Sequence, residues 1–163
     1  MKRILLAAAA VVAAAAVSPA LADDVNIAST DGTAAVRVFQ PITVTQTQGL
    51  DFGAITSGAE GKVAMTADGV RSAQGGVGLV AQFPGQAGSF DVTGEPNAVI
   101  NVAVASSIDG FKGGIKGVTV ADTLPTALKG NSASFNVGGS LYIPANTPAG
   151  SYTGSYKVAV NYP

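Results

Sequence analysis

From Thr33 onward, apolar and polar residues alternate with period two, and the alternation is broken by Gly, Pro, Asn and Asp. That period sends successive side chains to opposite faces of an extended strand. Ile42 and Val44 alternate with Thr43 and Thr45, and Val63 and Met65 run to Asp68-Gly69. Val77, Leu79, Ala81 and Phe83 run to Pro84-Gly85, and Phe90 and Val92 end at Gly94-Glu95-Pro96-Asn97. Ile100, Val102 and Val104 form another segment, followed by Val118 and Val120. Phe135 and Val137 lead into Gly138-Gly139, Leu141 and Ile143 run to Pro144, and Tyr156, Val158, Val160 and Tyr162 close the chain. This spacing predicts about nine short strands. After the N-terminal segment, no long window carries an i, i+3, i+4 apolar stripe free of Gly and Pro. Without helical crossovers the strands must pair antiparallel, and the small and Thr-rich partners suit a sheet with one wet face. The expected fold is all-β, a single antiparallel β-sandwich, with Leu50, Phe52, Phe83, Phe90, Ile100, Phe135 and Leu141 in its core.

The first 22 residues read differently. Lys2 and Arg3 are followed by an uncharged run from Ile4 to Val17, a Ser18-Pro19 break and Ala20-Leu21-Ala22. Basic start, apolar stretch and small-residue end, in that order, predict a cleaved signal peptide over 1–22. A membrane-spanning helix needs about 20 apolar residues, and this run is shorter. The expected mature domain is 23–163, with no membrane span and an exported location: periplasm, cell surface or extracellular. Residues 23–38 are either an N-terminal extension or the first strand; Val25 and Ile27 alternate there, and Ala34, Val36 and Val38 do so more strongly.

Composition then narrows the chemistry. The 163 residues include no Cys, His or Trp. That excludes a His general base, thiolate catalysis, Cys/His metal sites and disulfides. Without the signal, seven basic residues stand against ten acidic ones. A chain with no basic run offers no electrostatic footprint for nucleic acid. Asp31-Gly32, Asp68-Gly69 and Asp109-Gly110 lack the flanking acids of a calcium loop and are read as turns. Gly61-Lys62 fails as a phosphate loop, since Thr56 and Val63 stand where Gly and Ser/Thr are needed. No G-x-S-x-G or S-x-x-K occurs, and most acids sit beside Gly or at strand ends, as turn residues do. Tyr152, Tyr156 and Tyr162 share a face if one strand runs from 152, and are read as core or rim packing. The expectation is no enzyme, with no catalytic, cofactor-binding or metal residues and no cofactor.

Three blocks carry a resemblance. They are Leu50-Asp51-Phe52-Gly53-Ala54-Ile55 with Gly61-Lys62-Val63 and Ala67-Asp68-Gly69-Val70-Arg71; Phe90-Asp91-Val92-Thr93-Gly94-Glu95-Pro96-Asn97; and Val137-Gly138-Gly139-Ser140-Leu141 with Pro148-Ala149-Gly150-Ser151-Tyr152-Thr153-Gly154 and Val158-Ala159-Val160-Asn161-Tyr162. In this order they resemble the exported bacterial proteins grouped as domain of unknown function 4402, over about residues 40 to 162. That family implies no catalytic residues. The ending from Pro148 is also similar to the closing strand of spore-coat-U-like pilin subunits. This second resemblance implies an Ig-like, pilin-like sandwich lacking one strand, whose groove a neighbour's N-terminal extension fills by β-augmentation. The disulfide that many such pilins carry has no counterpart here.

The leading functional expectation is an exported structural subunit of a fibre, pilus or coat that assembles by β-strand edge pairing. Its partners would be further copies or related surface subunits and a periplasmic chaperone, with no nucleic acid. The alternative is a monomeric periplasmic or secreted glycan-binding module. A small outer-membrane barrel is disfavoured by the strand number and the scarcity of aromatics.

Overall fold

In the computed structural model, residues 30–121 and 123–163 are described, and in them the period-two segments are strands and no residue is helical. The signal expected over 1–22, and residues 23–29, lie outside the described residues. The chain divides into two units, 1–36 and 37–163. In the first, residues 30–36 are exposed and form no strand. The second holds β1 (Thr43–Gln48), β2 (Ile55–Met65), β3 (Arg71–Leu79), β4 (Gly88–Thr93), β5 (Asn101–Val104), β6 (Ser107–Ile108), β7 (Lys116–Val120), β8 (Ser132–Ile143) and β9 (Val158–Asn161).

Every strand pair is antiparallel, and β8 organises them. Its first half pairs with β4, from Thr93↔Ser132 to Gly88↔Val137, and β1 lies beyond β4. Its second half is flanked by β2, at Val63↔Leu141, and by β7, at Gly117↔Leu141. β3 and β6 extend the sheet outward from those two. Gly138 and Gly139, expected to end one strand before another, instead lie inside β8. A Cβ on Gly138 would sit 2.7 Å from the Thr66 carbonyl carbon and 2.8 Å from the Ala67 nitrogen. The glycine therefore permits close backbone approach without interrupting the alternation, and Phe135, Val137, Leu141 and Ile143 all point inward.

Two buried clusters follow. The second-sheet layer, β5 paired with β9, lays Val102, Val104, Val158 and Val160 over a cluster of Phe90, Val92, Ile100, Leu128, Phe135 and Val137. This is the sandwich, two sheets face to face and not a closed barrel. The other cluster centres on Phe52, Val63, Met65, Leu141 and Ile143. Among the described residues no strand covers it. Its cover is made of irregular chain, including Leu50, Phe111, Tyr152 and Tyr156.

The structure corrects four further expectations. Phe83 is 61% exposed and not core, because β3 ends at Leu79 and a turn follows. Leu50 is half-buried beside the core and not within it. The reading of Ala34, Val36 and Val38 as a first strand fails, since pairing begins only at Thr43. Tyr152, Tyr156 and Tyr162 share no strand, because β9 starts at Val158.

Candidate functional site

The strandless cluster owes its geometry to the turn after β1. Asp51 exchanges two backbone hydrogen bonds with Gln86, at 2.9 and 2.8 Å. The Gly53 N–H donates to the Asp51 side chain at 2.8 Å. Gly53 and Gly85 both take positive φ, 69° and 71°, where L side chains are strained. Their backbones cross so closely that a Cβ on Gly85 would lie 2.6 Å from the Gly53 nitrogen. Arg71 locks the crossing: its guanidinium donates to the carbonyls of Phe52, Ala54, Phe83 and Val80 at 2.9, 3.2, 2.8 and 2.9 Å. The node drives the Phe52 ring into the core and leaves Phe83 at the surface.

Below it opens a groove of about 620 Å³. Its floor is Phe52, Val63, Leu141 and Ile143, and Ile108 and Ile115 form one wall. The other side is the segment Gly150–Gly154 with Tyr156. Among the described residues, the backbone of 150–154 makes no backbone–backbone hydrogen bond; the nearest pairing is the Asp109–Ser155 bridge, 2.8 Å in both directions. Tyr152 donates to the Pro148 carbonyl at 2.6 Å. The Tyr156 hydroxyl is buried with no partner in the protein, and burial pushes its phenol pKa up. An apolar floor beside unpaired backbone is the requirement for accepting an added strand.

A polar clamp lies before β1. Arg37 donates to Glu95 Oε1 at 3.1 Å, and the Gln40 N–H donates to Oε2 at 3.2 Å. Tyr162 donates to the Gln40 carbonyl at 2.8 Å and accepts from the Glu95 N–H at 2.7 Å. Phe39 meets the Tyr162 ring edge-on at 5.2 Å, and the Arg37 guanidinium lies 4.7 Å from the Phe39 centroid. The Arg37 contact first, then the Gln40 N–H, hold the Glu95 carboxyl below its ordinary value. Just outside the clamp, Val36 and Val38 are 88% and 83% exposed.

Among the described residues no three acidic side chains converge as metal ligands would. The sequence reading missed both the Arg71 node and the Glu95 clamp. Glu95 reads locally as one residue of a turn, and Arg71 lies nine to nineteen residues from its acceptors. The family model described as Domain of unknown function (DUF4402) matches residues 42–162. No curated protein and no solved structure matches the chain.

Proposed function

The chain belongs to the DUF4402 family, and from that premise we propose that it is an exported structural subunit of a surface fibre, pilus or coat whose copies join by strand addition. In this reading the alternating arm, residues 34–38, of one copy enters the groove of the next. Further copies or related surface subunits are the partners, a periplasmic chaperone covers the groove before assembly, and the protein catalyses no reaction. The observation that carries the reading is the unpaired backbone along 150–154, beside a groove whose buried apolar lining is covered by irregular chain and, among the described residues, by no strand. The exposed valines of the arm supply side chains of matching period. Burying Val36 and Val38 would contribute roughly 3–6 kcal/mol before ordering costs. Backbone hydrogen bonds along 150–154 would add to that.

The test is the assembly state of the purified protein with and without residues 23–38. The full protein gives filaments, or ladders on unboiled gels, and the deletion gives monomers that still unfold cooperatively, with a midpoint lowered no further than loss of the Arg37–Glu95 pair alone lowers it. A full-length protein that stays strictly monomeric at high concentration overturns the proposal.

A further inference from the structure

The outward face of the sheet lies on the other side from the groove floor and has its own chemistry. Register places Gln74 opposite Lys62, Lys62 opposite Tyr142, and Tyr142 opposite Lys116, so β3, β2, β8 and β7 present one straight row. Directly opposed residues on antiparallel strands share a face, and all four are exposed. The next row is Ser72, Ala64, Ser140 and Val118. Its first three side chains are small, which leaves one flank of the Tyr142 ring open, and Tyr142 is 43% exposed. The Tyr142 hydroxyl donates to Glu60 Oε2 at 2.6 Å, which fixes the ring's direction.

We infer that this row is a binding platform for an anionic polysaccharide, with Tyr142 packing on the apolar face of a sugar ring and Lys62 and Lys116 pairing with carboxylates on either side. Strand spacing puts the two lysine backbones about 10 Å apart across the tyrosine. Gln74 and the hydroxyls of Ser72 and Ser140 supply hydrogen bonds for sugar hydroxyls. Two lysines against the single carboxylate of Glu60 leave the row positive, on a protein whose acidic residues outnumber its basic ones once the N-terminal segment is set aside. The local charge therefore selects an acidic ligand over a neutral one. Nucleic acid is disfavoured because one aromatic and two lysines fall short of the basic stripe and repeated stacking it requires. The Glu60 contact, the largest cause, also holds the Tyr142 phenol above its ordinary pKa, so the ring stays neutral and keeps its donor at neutral pH.

The platform is independent of strand addition, and its experiment uses ligand retardation, not assembly. The purified protein is run through native gels containing polygalacturonate, dextran or no polymer, with single-stranded DNA as a competitor. Polygalacturonate retards the protein, dextran does not, and DNA competes weakly. The double variant K62A/K116A and the single variant Y142A each lose about tenfold in affinity, while Y142F retains binding. Thermal midpoints near wild type show that the variants fold, as expected for exposed positions. The inference is overturned if wild-type protein is not retarded by polygalacturonate, if dextran retards it equally, if DNA competes as well as polygalacturonate does, or if K62A/K116A binds undiminished. A change in K62A/K116A confined to the gel ladder overturns it too, since that would make the face a contact between copies.

Discussion

Arg71 and Gly53 show how single residues set the groove. A guanidinium facing four carbonyls holds two loops together, among the described residues without an acidic partner, and charged donors of this kind contribute more than neutral ones. Gly53 is held at positive φ with the Phe83 carbonyl where a Cβ would stand. Gly53→Ala adds the left-handed penalty of about 1–2 kcal/mol to that clash. The expected loss is roughly 2–4 kcal/mol, read as a lower urea midpoint with unchanged slope. A midpoint equal to wild type would mean that the crossing is loose. Phe83 illustrates why this node was hidden in the sequence. Its hydrophobicity and its even spacing from Val77 argue for a buried strand position. Its placement is decided instead by Gly85 turning the chain and by Arg71 taking its carbonyl, a contact across twelve residues that no local period encodes.

At the scale of elements, the strands centred on Val44, Val92, Val102 and Val160 were legible because each alternates beside a clear turn signal. β7 was legible as a strand but not in its facing. Val118 and Val120 point to solvent while Gly117 lies inward, where a Cβ would stand only 2.7 Å from the Ile108 Cβ and 3.0 Å from the Leu141 side chain. A glycine on the buried face reverses the apparent pattern. β6, two residues long, carries no periodic signal at all. The arm joins β1 through the Glu95 clamp, whose strength depends on pH. The folded Glu95 carboxyl titrates below its ordinary value of 4.5. Its contribution is therefore present above that value and is lost as pH falls through the folded one. Glu95→Gln should be less stable than wild type near neutral pH, and the gap should narrow as the pH falls below 4.5. Urea midpoints for both proteins across that range provide the check, and a gap independent of pH would remove the ion pair from the account. Arg37 is 71% exposed and Glu95 17%, so high salt should narrow the gap as well.

For the whole molecule, the position of the clamp relative to the groove bears on the kind of assembly that strand addition would build. The chain enters β1 at Thr43, beside Arg37–Gln40 and their partners Glu95 and Tyr162, and leaves it toward Leu50 at the groove. The six residues of β1 span roughly 20 Å. Donor root and acceptor groove thus sit at opposite ends of one strand, so the donor and acceptor surfaces differ, and a contact between unlike surfaces propagates unless its rotation closes a ring. Open head-to-tail growth is the expected outcome. A copy lacking residues 23–38 keeps the groove and loses the donor, so it joins the chain end that offers an arm and presents none in turn. Added to full-length protein at about one part in ten, it should shorten filaments roughly to the length set by that ratio, measured by electron microscopy or sedimentation. A free peptide covering 30–42 should shorten them by filling grooves at the other end. Closed dimers, or lengths unaffected by either additive, would show that the copies meet through like surfaces and that the groove is not where they join.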